Sequence, residues 1–339
     1  MRPEKGASLV DRRRVIFALG AAVLAHPVES LAQPSTKVAR IGFFYNGSRQ
    51  SAVSTGRYGA FLQGMRELGY VEGTHFVVEE RFVPDWNTAR LAAVAAELVK
   101  LKVDLIVVTG GPTIIAVRQA TSSIPVVVTI ASDPLFVGIA TSLSRPGGNF
   151  TGFSAILDEV SPKHIEYLQI AVPKLGRIGV LAKLGNPTNS RLRSRIEAEA
   201  AKRDLHVIAV DVDAQKDIDS ALARFAQQRA EAFIILGDSF FVEQSKHIAD
   251  IAIRHRLPSI YTGAEYPIAG GLMSYGPDFS DNFRRVAGYV DKILKGAKPG
   301  DLPFEQPNRF YLTINKRTAK ALGVTISNEL LLRADKVIE

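Results

Sequence analysis

Three short runs in this chain, DLIVV (104–108), VVVTI (126–130) and AFIIL (232–236), are apolar at nearly every position. A strand with one face in water alternates apolar and polar residues, whereas a strand covered on both faces is free of that alternation. Between such runs lie stretches with apolar residues at helical spacing. Residues 54–68 carry Tyr58, Phe61, Leu62, Met65 and Leu68, and 89–101 is the alanine-rich ARLAAVAAELVKL. Buried strands alternating with amphipathic helices predict parallel sheets flanked by helices.

The pattern runs twice. The first series has strands at 38–44, 76–82, 104–108 and 126–130, with helices at 54–68, 89–101 and 112–120. After Gly147-Gly148-Asn149 it restarts. Strands are expected at 178–181, 207–210, 232–236 and 259–261, and helices at 162–170, 190–203, 218–228 and 242–254. A tail follows, with helices at 279–294 and 317–322 around a strand at 310–314. A chain of 339 residues has room for two such α/β units, each with its own core.

The first 32 residues read differently. Arg12-Arg13-Arg14 precedes VIFALGAAVLA, a run suited to a signal-peptide core and short of the ~20 residues that span a bilayer. Cleavage is expected after Ala32, where Ser30 and Ala32 supply small residues two apart. The arginine run resembles a twin-arginine signal, but Asp11 stands where Ser or Thr is common, so Sec and Tat export both remain open. Export implies a periplasmic protein. Without 1–32 the chain keeps 37 of its 42 basic and 31 of its 34 acidic residues, a net charge of +6 spread along its length. Nothing in that distribution suggests nucleic acid as a partner. There is no cysteine, which excludes disulfides, thiolate metal sites and thiol catalysis.

In open parallel sheets, ligands bind beyond the carboxyl ends of the strands, where helix N-termini present free N–H groups. The strand-end loops therefore supply the candidates. TGGPT (109–113) combines two glycines that permit close approach, a proline suited to the first helical turn, and the hydroxyls of Thr109 and Thr113. It is either a structural turn or a carboxylate cradle around Gly110 and Gly111. It lacks the pattern of a phosphate loop. Tyr45, Asn46, Ser48, Ser132 and Asp133 lie at other strand ends of the first series, and Ser154, beyond the Gly147–Gly152 segment, is a further candidate. In the second, Asp238 follows AFIIL and either caps the next helix or pairs with a ligand ammonium. Glu265 is the other acidic candidate. No catalytic histidine spacing or nucleophile elbow occurs, so an enzyme, a metal site and a cofactor are not expected. Trp86 is either a cleft wall or a loop anchor.

The segments GMRELGYVEG (64–73), AAELVKLKVDLIV (95–107), SLSRPGGNFTG (142–152), RHRLPSIY (254–261), AGGLMSYGPD (269–278) and 289–323 together resemble the solute-binding proteins of ABC importers, in the group that includes tryptophan- and tyrosine-binding members. The resemblance implies a two-lobed type I periplasmic binding protein, each lobe a parallel sheet flanked by helices, joined by a three-segment hinge. It implies an N-terminal lobe of 33–150 completed by 276–306 and a C-terminal lobe of 151–275 completed by 307–339. The crossings would fall at 147–152, around Gly270-Gly271 and Gly276-Pro277, and at 305–310, with Tyr275 at the cleft floor. A monomer that captures a small ligand, amino-acid-like or an aromatic acid, and delivers it to an ABC permease and its ATPase is implied. A periplasmic sensing module for a receptor or sensor kinase is the alternative. The chain departs from the family pattern at Ala182-Lys183, where many relatives have Trp-Asn, and at Ala264, where many have Arg before the glutamate. Those departures argue against a standard aromatic amino acid, and Lys183 suggests an extra anionic group on the ligand.

Overall fold

The computed structural model describes residues 38–84 and 87–339; the expected signal peptide and Trp86 lie outside the described residues. Among the described residues the strands form two sheets. The first contains β1 (Ala39–Tyr45), β2 (Phe76–Phe82), β3 (Leu105–Thr109), β4 (Val126–Ala131), β5 (Phe150–Ser154) and β11 (Phe304–Glu305), in the order β11-β5-β4-β3-β1-β2 and parallel throughout. The second contains β6 (Arg177–Lys183), β7 (His206–Val212), β8 (Ala232–Ile235), β9 (Ser259–Tyr261), β10 (Met273–Gly276), β12 (Tyr311–Asn315) and β13 (Lys336–Ile338). Its order is β13-β12-β10-β9-β8-β6-β7, with β12 antiparallel to β10.

The apolar runs occupy the middle of these sheets. Every residue of β3 and β8 is buried. Helices α1 (Arg49–Ser54), α2 (Arg57–Glu67), α3 (Thr88–Lys100) and α4 (Gly111–Ala120) belong to the first lobe. Helices α5 (Leu157–Ala171), α6 (Pro187–Ala201), α7 (Lys216–Gln227), α8 (Ser239–Glu243), α9 (Ser245–Arg254) and α10 (Glu265–Ala269) belong to the second. Helix α11 (Phe279–Leu294) returns to the first lobe, where Phe283, Val286 and Val290 join the cluster of Phe43, Phe61 and Met65. Helices α12 (Lys316–Leu322) and α13 (Asn328–Arg333) close the second.

Several boundaries differ from expectation for local reasons. The helix expected from residue 54 starts at Arg57, because Gly56 takes φ +74° and separates it from α1. The helix expected at 242–254 is two, α8 capped by Asp238 and α9 after it. The largest correction concerns 147–152, expected as a crossing. FTGFS pairs with β4 as a full strand, and Gly152 at φ +133° lies so close that a Cβ would fall 2.1 Å from the Val128 carbonyl oxygen. The first crossing therefore comes after Ser154, and 151–154 belong to the first lobe. Gly270-Gly271 is likewise no crossing. Gly270 ends α10 with φ +114°, and a Cβ on Gly271 would meet the Tyr261 ring at 2.5 Å. The chain recrosses after Gly276, at Pro277-Asp278, and again between β11 and β12.

Candidate functional site

The carboxyl ends of β3 and β4 face those of β8 and β9 across a closed seam. On the first-lobe side, Gly110 caps α4 with φ +86°, a conformation natural to glycine, and Pro112 follows in the first turn. The opening N–H groups of this ten-residue helix lack helical partners and carry the positive end of its dipole. A Cβ on Gly111 would stand 3.4 Å from Asn186 Oδ1 and 3.5 Å from Thr188 Oγ1 of the second lobe, in ordinary contact, so the two lobes meet at this turn.

On the second-lobe side, Asp238 ends the loop after β8. Its Oδ1 accepts the Phe240 N–H at 2.8 Å, capping α8, and its Oδ2 accepts from Asn186 Nδ2 at 2.8 Å. Burial pushes the Asp238 carboxyl up to about 7, against these two hydrogen bonds and the charge of Lys183. Between Gly110-Gly111 and Asp238 is an inner cavity of about 70 Å³, lined also by Thr109, Ser132, Ser239, Thr262 and Tyr266. Ser239 Oγ and Tyr266 OH are buried in its wall without a hydrogen-bond partner among the described residues. Orphaned hydroxyls of this kind are costly unless a bound molecule satisfies them.

One end of the cavity is closed by an ion pair between lobes. Arg57 Nη2 lies 2.7 Å from Glu265 Oε1, and Arg57 Nη1 donates to Tyr45 OH at 3.1 Å. The guanidinium is 5.9 Å from the rings of Phe279 and Phe283. Beyond this pair opens an outer groove of about 880 Å³, whose walls include Ser48, Ser51, Glu243, Gly276 and Arg309. Two further contacts join the lobes. The Ser48 N–H donates to Glu243, and Arg191 Nη1 lies 2.8 Å from Asp133 Oδ2.

The structure thus gathers Thr109, Gly110, Gly111, Ser132, Asp238 and Glu265 around one cavity. The others stand elsewhere. Thr113, fully buried, donates its hydroxyl to the carbonyls of Thr109 and Gly110, and so stabilises the turn without facing the cavity. Tyr45 supports Arg57 from within the first core. Asn46 is buried at the end of β1, and its side-chain amide has no hydrogen-bond partner among the described residues. Asp133 caps Leu135 and Phe136 N–H groups and holds Arg191, while Ser154 lines a separate surface pocket with it. Lys183 is turned away: its Nζ binds Asp213 Oδ1 at 2.8 Å and the Leu184 carbonyl, so its charge is directed at the protein. Tyr275 packs its ring on Tyr167 and Phe310 behind the seam, so it is not the cleft floor. Arg57, Asn186, Ser239, Thr262, Tyr266 and Phe279 were not foreseen. Asn186-Pro187 alone carried a usable signal, as a strand-end Asn before a helix-opening Pro.

A family described as ABC transporter substrate binding protein matches residues 50–338. A tyrosine-binding protein of Clostridioides difficile is 24% identical over 270 residues, 78% of this chain and 75% of that protein. Among solved structures, a conserved domain protein from Vibrio cholerae aligns with TM-score 0.81 and 26% identity, over 89% of this chain and 100% of the other. An ABC domain from Streptococcus pneumonia in complex with L-Trp aligns with TM-score 0.80 and 24% identity, again over 89% and 100%.

Proposed function

This chain belongs to the ABC transporter substrate binding protein family, and on that premise we propose that it captures a small carboxylate-bearing molecule, amino-acid-like in its polar end, between its two lobes. The observation that carries this reading is the inner cavity. A helix start with unpaired N–H groups lies on one side, and Asp238 with the unpartnered Ser239 and Tyr266 hydroxyls lies on the other. A ligand carboxylate placed at the Gly110-Gly111 turn gains the N–H donors and the helix dipole. An ammonium on the same molecule then reaches Asp238, so full affinity requires both lobes.

Binding is thus coupled to closure. Pro277-Asp278 and the segment between β11 and β12 supply the flexing strands of a hinge, and Arg57–Glu265, Ser48–Glu243 and Arg191–Asp133 form only in the closed arrangement. The closed monomer, exported to the periplasm, delivers its ligand to an ABC permease and ATPase and performs no chemistry on it. The similarity to a tyrosine-binding protein and to a structure holding L-Trp supports an amino-acid-like polar end. The test is a thermal-shift screen of amino acids, aromatic acids and dicarboxylates. A ligand at 100 times its Kd adds about 2.7 kcal/mol to stability. No shift from any carboxylate would overturn the proposal.

A further inference from the structure

Arg57, Val242, Glu265 and Phe279 each line both the inner cavity and the outer groove. They are the partition between a space of about 70 Å³ and one of about 880 Å³. The partition is firmly held. Arg57 is 5% exposed, fixed by Tyr45 OH at 3.1 Å, by Glu265 at 2.7 Å and by two flanking rings. At about 70 Å³ the inner cavity has less than half the ~150 Å³ of a cavity that takes up benzene.

We infer that the Arg57–Glu265 pair with Phe279 and Val242 sets the length of ligand this chain accepts, restricting it to α-amino or simple carboxylic acids with very short side chains. The inference rests on the cleft reading above and adds to it a size limit. Nothing in the inner cavity accommodates an aromatic side chain, because the space where it would extend is filled by the ion pair and the Phe279 ring. The outer groove has the dimensions of a ligand pocket, but it lies behind the partition. Loss of a partition residue joins the two spaces and lets a longer side chain extend from the inner cavity into the groove. The pair also forms only when the lobes meet, so it couples the size limit to closure: a side chain too long for the inner cavity holds Arg57 and Glu265 apart.

Calorimetric titration of two ladders tests this. One is glycine, alanine, 2-aminobutyrate, norvaline, norleucine and phenylalanine; the other is the matching acids without the amino group. The wild-type protein is expected to lose at least tenfold in affinity between alanine and norleucine, and between their counterparts without the amino group. Phe279→Ala and Glu265→Ala, two independent openings of the wall, should each improve norleucine or phenylalanine relative to alanine by at least tenfold. Far-ultraviolet circular dichroism confirms that each variant is folded. Wild-type affinity for phenylalanine equal to that for alanine would overturn the partition while leaving the cleft reading intact. So would folded variants that both retain the wild-type length profile. Failure of every member of both ladders to bind the wild-type protein would overturn the cleft reading and the partition together.

Discussion

Asp238→Asn separates a ligand contact from a helix cap. The carboxylate has two engaged acceptors, one for the Phe240 N–H and one for Asn186 Nδ2. An amide has a single acceptor oxygen, and Asn186 Oδ1 already takes the Thr188 N–H, so Asn186 cannot turn to compensate. One hydrogen bond is therefore lost, at about 1 kcal/mol of stability. Binding should suffer more. A hydrogen bond to a charged group contributes about 1.5–3 kcal/mol, which is roughly ten- to 150-fold in Kd for an amino acid. The matching acid without its amino group should lose little. A pH signature comes with it. With the carboxyl near 7, the ionised fraction rises about tenfold between pH 6 and pH 8, and the wild-type affinity for an ammonium-bearing ligand should rise in step. The Asp238→Asn substitution should remove that dependence, because an amide does not titrate in this range. The ligand-free protein should behave oppositely: its native state keeps a proton that the unfolded chain gives up near 4, so it loses stability as pH rises from about 4 to about 7. Calorimetry at pH 6, 7 and 8, with denaturant melts beside it, reads all of these. Equal losses for the amino acid and its deaminated analogue, or a flat wild-type pH profile, would refute the ammonium contact.

Thr113→Val should cost about 1 kcal/mol of stability and leave affinity within about threefold, because the hydroxyl serves the turn; a tenfold affinity loss at unchanged stability would place it on the ligand. Gly271→Val forces a side chain against the Tyr261 ring and should destabilise by about 1–3 kcal/mol in a denaturant melt, without altering closure of the folded fraction. Slower closure at unchanged stability would instead make that turn a hinge element. His164, fully packed and bonded through Nε2 to the Tyr275 carbonyl at 2.8 Å, is held neutral by burial, which lowers it to about 4. The unfolded imidazole takes its proton near 6.5, so stability should fall by about 3 kcal/mol as pH drops from 6.5 to 4. Denaturant melts of His164→Gln should lack that component; an identical slope in both proteins would refute it.

The architecture was legible where strands are buried on both faces. DLIVV, VVVTI and AFIIL lie within or beside the centres of the two sheets, and their periodicity needed no tertiary information. FTGFS was not legible as a strand. It has no Val or Ile, and its glycine is required by a close approach to Val128 that only the folded sheet reveals. Part of the cavity wall was foreseen by one rule, that strand ends opening into helices make sites, which picked out Gly110, Gly111, Ser132 and Asp238. The same rule was too generous to Asp133 and Thr113, whose polar atoms close their own turns. Arg57 escaped altogether. Its partner Glu265 is 208 positions away, and a pair across a seam leaves no local pattern in either helix. Lys183 misled because a strand-end lysine reads as an open charge until Asp213, on the loop after the neighbouring strand, is placed beside it.

The central claim is capture by closure, and the absence of cysteine from the chain makes it directly measurable. Spin labels on cysteines introduced at Val71 of the first lobe and Leu332 of the second, both exposed, report the distance between lobes by electron paramagnetic resonance. The best-binding member of the acid and amino-acid ladders should convert a broad, longer distribution into one narrow, shorter distance. An identical distribution with and without saturating ligand would contradict it.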